Sequence, residues 1–180
     1  FDTIAANRVD TRQWGGYVQL RRSQEALWWD DDRHTLTLGV RHDAFSAFDG
    51  ATTLRGGYVL NRGPWTAKLL YGESFNEPAP RELYGGWRGS GSDPDLAPET
   101  GATRELNLAW QGEHVAAWAS AWDLHTRNDI VTVRGGATNL GRRDSSGVDL
   151  GLRALWGEGR HEVWAYQSWI SAKEDRVDQG

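Results

Sequence analysis

Residue types able to do chemistry are present, but their spacing assembles no reactive centre. The five histidines are His34, His42, His114, His125 and His161, and none stands in an H-x-x-x-H or Cys/His spacing suited to a metal. The 180-residue chain has no cysteine, which removes thiolate metal sites, disulfides and thiol nucleophiles. Gly85-Gly86-Trp87-Arg88-Gly89-Ser90-Gly91 is glycine-rich, yet no helical pattern follows it to hold a phosphate. Ser90, Ser92, Ser145 and Ser146 lack a nucleophile-elbow context. Carboxylates concentrate in turns and loops, and no pair is assignable to glycoside hydrolysis. Asp30-Asp31-Asp32 reads as a solvated turn, since a cation site would need further ligands. The expectation is a non-enzymatic binding or transport protein with no cofactor and no resident metal. Candidate ligand contacts are Tyr84, Trp87 and Arg88 in one long loop, with Arg134 in another. Arg134 and Arg142-Arg143 suit phosphate or other anionic groups.

These candidates need elements to hold them, and the elements read as strands. Thr35–Asp43 alternates strictly: Leu36, Leu38 and Val40 face one way, Thr35, Thr37, Arg41 and Asp43 the other. Trp14–Arg22, Thr53–Leu60, Trp65–Phe75, Arg104–Gln111, His114–Leu124, Asn139–Leu155 and Glu162–Ser171 show the same period of two. Ile130–Val133 adds a short strand-like interruption, and Phe1–Arg12 reads as loop. No segment sustains a helical apolar period. Arg41, Arg55, Lys68, Glu105, Asp149 and Arg153 lie mid-strand, each alternating with an apolar residue. Short turns at Asn61–Pro64, Gly112-Glu113 and Trp156–Gly159 alternate with longer connections at Ala44–Thr52, Asn76–Gly101 and His125–Thr138. Four of the five prolines, Pro78, Pro80, Pro94 and Pro98, fall in the Asn76–Gly101 connection, because proline cannot donate to a sheet ladder.

Composition narrows the class. The net charge of −5 argues against a nucleic-acid binder, which would carry a basic stripe. A mean hydropathy of −0.66 beside 11 tryptophans fits strands with one polar face and aromatic girdles at the membrane interfaces. A soluble β-sandwich shares the alternation, with its charged face turned to water. Strands joined alternately by short and long connections favour the barrel, whose short turns lie on the periplasmic side.

The loop and its borders carry a more specific signal. Tyr71-Gly72, Phe75 and Pro78, then Glu82-Leu83-Tyr84, then Asp93-Pro94-Asp95-Leu96-Ala97-Pro98-Glu99 resemble the barrel of TonB-dependent outer-membrane receptors. That family shows Tyr-Gly-x-x-Phe-x-x-Pro, Glu-Leu-Tyr and Asn-Pro-x-Leu-x-Pro-Glu in this order, and Asp93 here replaces the usual Asn. Tyr17-Val18-Gln19, Gly39-Val40-Arg41-His42-Asp43 and Asn139-Leu140-Gly141 with Gly147-Val148-Asp149-Leu150 also resemble family elements in order.

The resemblance implies an all-β, antiparallel up-and-down transmembrane barrel in the bacterial outer membrane. About eight strands are expected here, out of the 22 of a receptor barrel. Residues 1–180 then form part of one barrel domain, an internal slice of its C-terminal half, without the plug domain or a second domain. Such a slice is expected not to form a working transporter alone, because open strand edges do not persist in lipid. The implied function is energy-dependent uptake of a scarce small-molecule nutrient, a metal chelate such as a siderophore or a cobalamin-like compound. Implied partners are outer-membrane lipid and lipopolysaccharide, whose phosphates Arg134 and Arg142-Arg143 would meet, and in the full receptor the plug and the TonB complex. Glu82, Asp93 and Glu99 are expected to fix the loop backbone by accepting turn amides. Two alternatives stay open: a complete eight-stranded outer-membrane barrel with a structural or adhesion role, closed by pairing of Trp14–Arg22 with Glu162–Ser171, and a soluble β-sandwich that binds carbohydrate through tryptophan.

Overall fold

The computed structural model describes residues 11–46, 50–84, 93, 95–133, 136–139 and 141–175. Among the described residues there are ten strands: β1 (Gln13–Glu25), β2 (Asp32–Phe45), β3 (Ala51–Arg62), β4 (Trp65–Asn76), β5 (Glu99–Gln111), β6 (Val115–Arg127), β7 (Ile130–Val133), β8 (Gly136–Asn139), β9 (Arg142–Trp156) and β10 (His161–Asp175). Eight of them form one antiparallel sheet in the order β1-β2-β3-β4-β5-β6-β9-β10, and β7 pairs with β8 as a separate hairpin. The long strands run 12–15 residues, enough to cross a bilayer when tilted. β1 and β10 are the two edges and do not pair with each other among the described residues. Pairing of these strands is what a closed eight-stranded barrel required. A sandwich would need a second sheet over the apolar face, and the only other described sheet is the small β7–β8 hairpin.

Register carries side chains of one kind across the whole sheet. Tyr58 lies opposite Leu36 and Leu69, Leu69 opposite Leu106, Leu106 opposite Ala121, Ala121 opposite Val148, and Val148 opposite Trp169. One position along, Lys68 lies opposite Asn107, Asn107 opposite Ser120, Ser120 opposite Asp149, and Asp149 opposite Ser168. A strand's period of two therefore separates a continuous apolar face from a continuous polar face. The apolar face is uncovered: Val18, Leu20, Leu36, Leu38, Val40, Leu69, Leu106 and Leu150 are 40–71% exposed. Among the described residues the only buried apolar side chains assigned to a core are Leu83 and Leu96, both in the β4–β5 connection. A sheet with no core beneath it and a bare aliphatic face is the wall of a barrel whose outer solvent is lipid.

Tryptophan positions correct the expectation drawn from composition. Trp65, Trp110 and Trp156 lie on the apolar face at the short-turn ends of their strands, where a girdle belongs. Trp118 and Trp122 face the polar side instead, opposite Gly151 and Gly147. A Cβ on Gly147 would come within 2.6 Å of the Trp122 ring, and one on Gly151 would overlap Trp118. The indole N–H of Trp122 donates to Asp149 Oδ2 at 2.9 Å, a partner that lipid would not supply. The opposite face of β6 carries Ala117, Ala119 and Ala121.

The short turns follow local chemistry. Gly63 has φ +50° and precedes Pro64, a two-residue hairpin pattern with the first central residue in the left-handed region. The β1–β2 turn closes on Asp32, whose carboxylate accepts the backbone N–H groups of Leu27, Trp28 and Trp29, each at 2.9 Å. His34 Nε2 lies 2.9 Å from the same carboxylate, and Tyr58 contacts His34 Nδ1 at 2.5 Å. Two connections differ from the sequence pattern. The β5–β6 turn takes three residues, because His114 O accepts from Leu155 of β9 while Gly112 N donates to Val115 O. The expected Asn139–Leu155 strand breaks near Gly141, which has φ +95°, so β8 ends at Asn139 and β9 starts at Arg142.

Leu150→Arg should cost about 2–4 kcal/mol of unfolding free energy in lipid vesicles, while Ser120→Arg on the polar face should cost under about 1 kcal/mol. Denaturant titration of the vesicle-embedded protein checks the difference. Gly151→Val should destabilise by about 1–3 kcal/mol through overlap with Trp118. Adding Trp118→Ala should recover part of that loss in a double-mutant cycle.

Candidate ligand-capture surface

The long connections gather at one end of the sheet, and the β4–β5 connection is folded rather than loose. Its centre is a one-turn helix, α1 (Pro80–Tyr84). Proline at the first helical position costs no hydrogen bond, and Glu82 reaches back from the third position to accept Ala79 N–H at 2.8 Å. Glu82 O accepts Asp93 N–H at 3.0 Å, and Asp93 Oδ1 accepts Asp95 N–H at 3.0 Å. Leu83 and Leu96 are each 2% exposed and Pro78 is buried. Phe75 meets Phe45 edge-on, with ring centroids 5.7 Å apart.

A second set of contacts ties this loop to the β6–β9 connection. Asn139 Oδ1 accepts Ala97 N–H at 2.7 Å, and Asn139 Nδ2 donates to Ala97 O at 2.9 Å and to Asn128 O at 2.8 Å. Glu99 accepts Ile130 N–H at 2.6 Å on one oxygen and Asn76 Nδ2 at 2.8 Å on the other. Asn128 sits at φ +58°, a conformation asparagine tolerates better than most side chains. Glu82, Asp93 and Asn139 thus spend side-chain polar atoms on backbone, and Glu99 divides its two oxygens between the Ile130 amide and the Asn76 side chain.

The sequence-derived candidates fall in different places. Tyr84 ends α1 and is half-buried. Trp87, Arg88 and Arg134, with Pro94 of the motif, lie outside the described residues. Tyr71 donates to Glu73 at 2.5 Å on the apolar-face side of β4, and Gly72 faces Arg55 and Thr103 on the polar side. Pro98 is half-buried next to Ala97. The neighbours Arg142 and Arg143 separate by face: Arg142 joins Asp144 at 2.9 Å, whereas Arg143 turns to the polar side and meets Glu174 at 3.4 Å.

The polar face carries two groupings that spacing alone did not assemble. On β9 and its neighbours, Asp149 accepts Trp122 Nε1, Tyr166 OH at 2.8 Å and Ser168 Oγ at 2.5 Å. Glu105 beside it accepts Asn107 Nδ2 at 2.8 Å. On β1 to β3, a depression of about 640 Å³ is floored by Gly15, Gly16 and Gly39 and edged by Tyr17, Arg41 and Arg55. Arg41 grips Asp43 through two bonds of 2.6 and 2.8 Å, and Asp43 is 1% exposed. The signal available in the sequence was the Gly147-x-Asp149-x-Gly151 spacing, which leaves room for rings from the next strand. No group of three or more metal-ligating side chains occurs among the described residues.

The family model described as TonB dependent receptor-like, beta-barrel matches residues 2–179. The iron-regulated outer membrane virulence protein of Vibrio cholerae serotype O1 is 29% identical over 133 residues, 69% of this chain and 20% of the relative. The chain therefore spans about a fifth of that relative's length. Among solved structures, the FrpB iron transporter from Neisseria meningitidis (F3-3 variant) superposes with TM-score 0.66 at 18% identity, over 94% of this chain and 26% of that one. The copper transporter OprC gives 0.62 at 19% identity, over 91% and 28%. The RagAB peptide transporter gives 0.61 at 16% identity, over 80% and 20%. At these identities the likeness speaks for the fold. With the model matched over nearly every residue and the two-faced sheet it requires, the chain belongs to the TonB-dependent receptor β-barrel family of the bacterial outer membrane.

Proposed function

We propose that this chain is a section of wall and external loop in a receptor that takes up a scarce nutrient. The nutrient is a metal chelate such as a siderophore, or a cobalamin-like compound. The observation that carries this is the pairing of a lipid-exposed wall with a long, internally stapled loop at one end, joined to a polar inner surface. The names of similar proteins support the direction: an iron-regulated outer-membrane protein, an iron transporter and a copper transporter. Capture begins at the loop end, where Tyr84, Trp87, Arg88 and Arg134 are the proposed ligand contacts. Release through the barrel depends on a plug domain and on the TonB complex of the inner membrane. The open edges of β1 and β10 are covered by further strands of the same barrel, since unpaired backbone is not tolerated in hydrocarbon.

A strain lacking the gene should lose growth on one metal chelate, or on a cobalamin-like compound, under limitation of that nutrient. The same loss should follow from removing TonB. Unchanged uptake across such a panel would reject the reading. Asn139→Ala should release Ala97 and weaken capture of that nutrient by roughly 5–30-fold, the worth of one to two kcal/mol of lost hydrogen bonding. Equilibrium binding to the isolated protein checks this, with heat-shifted gel mobility confirming that the barrel itself is intact.

A further inference from the structure

The ladder between β3 and β4 stops before the strands do. Its last pair at the loop end is Arg55 with Gly72. Beyond it Ala51–Leu54 keep only β2, and Glu73–Asn76 keep only β5. A side chain bridges the split: Leu54 N–H donates to Glu73 Oε2 at 2.9 Å, and Tyr71 OH donates to the other Glu73 oxygen. Leu54 N–H points across the gap, so by strand alternation the N–H and C=O of Thr52 point the same way, with no ladder partner on that side. A cleft of about 420 Å³ occupies the split, and its lining includes Thr52, Thr53, Glu73 and Ser74. Glu73 lies in register with Ala102, and Ala102 with His125. The charged outward residues Arg104, Asp123 and His125 therefore set the level of the split, where hydrocarbon gives way to headgroups.

An apolar groove runs up to this split from the middle of the wall. On the outward face Gly56 lies in register between Leu38 of β2 and Tyr71 of β4. The missing side chain leaves a groove of about 400 Å³, whose lining includes Leu20, Leu38, Val40, Leu54, Gly56 and Tyr71. A Cβ on Gly56 would stand 3.8 Å from Leu38 and 4.0 Å from Tyr71, ordinary contact distances, so the floor of the groove is open space. Leu38, Val40 and Leu54 are 40–51% exposed along it. Tyr71 lines both the groove and the split. A molecule filling both needs two characters. An aliphatic chain suits the groove, and an extended amide backbone suits the strand edge, which takes a partner by main-chain hydrogen bonds. Phospholipid chains supply the first character without the second.

We propose that the β3–β4 split and the Gly56 groove form one binding site for an N-acylated peptide, its chain lying along Gly56 and its backbone pairing with the Thr52–Leu54 edge of β3. This site is set by the wall and not by the uptake function, so growth assays do not bear on it. Protein isolated from outer membranes and placed in phosphatidylethanolamine nanodiscs is irradiated with an N-palmitoyl tetrapeptide of glycine and serine that carries a diazirine in its acyl chain. Mass spectrometry should place the cross-links on Leu38, Leu54 and Tyr71, at least ten-fold above those on Leu106 and Leu150 of the same face. Palmitic acid and the unacylated tetrapeptide should each compete at least ten-fold more weakly than the acylated peptide without the diazirine. Gly56→Leu fills the groove without meeting backbone, and it should cut labelling ten-fold or more. That variant is scored only with native heat-shifted mobility, while the competition series needs no variant. Even labelling across the outward face, equal competition by either part alone, or undiminished labelling of folded Gly56→Leu would each overturn the proposal.

Discussion

The structure depends on one constraint: inside hydrocarbon every backbone donor and acceptor must find a partner in a neighbouring strand. That requirement replaces the hydrophobic core as the organising force. Eight strands satisfy one another laterally, and their side chains are free to divide by parity. Aliphatic side chains then gain nothing by packing inward, because lipid solvates them as well as protein would. This is why leucines such as Leu20 and Leu106 stand more than half exposed while the polar face holds rings and charges. The buried apolar pair, Leu83 and Leu96, lies in the β4–β5 connection beyond the strand ends, where ordinary water-driven burial operates again.

The two regimes explain the loop. A connection of its length would be loose in water without a core and anchors of its own. Here α1 supplies a surface for Leu83 and Leu96, and side-chain oxygens of Glu82, Asp93, Glu99 and Asn139 take up turn amides. The motif residues Glu82, Asp93 and Glu99 hold backbone within and between the loops. Asn139 joins two loops from different hairpins, so the order of one loop depends on the other.

Much of this was legible in the sequence. Strict alternation in Thr35–Asp43 and Gly147–Arg153 identified both strand and face, because parity survives even where ends are misjudged. Arg41, Arg55, Lys68, Glu105, Asp149 and Arg153 all fall on the polar face as their alternation required. What misled was the tryptophan count. Composition cannot tell a girdle indole from one lying over a glycine, since the deciding partner, Gly151 for Trp118, sits 33 residues away in sequence. Helix α1 escaped because one turn shows no periodicity. The break between β8 and β9 escaped because an alternating run passes through Gly141 without changing parity in an obvious way.

Face assignment along β9 offers the most direct test. The chain has no cysteine, so single cysteines at successive positions from Ser145 to Arg153 can each carry a spin label in the membrane-embedded protein. Collision rates with oxygen, which partitions into lipid, and with a water-soluble nickel chelate should alternate with a period of two. Oxygen should dominate at positions 148, 150 and 152, and the chelate at 147, 149 and 151. A profile without that period, or one with the two sets exchanged, would contradict the two-faced wall.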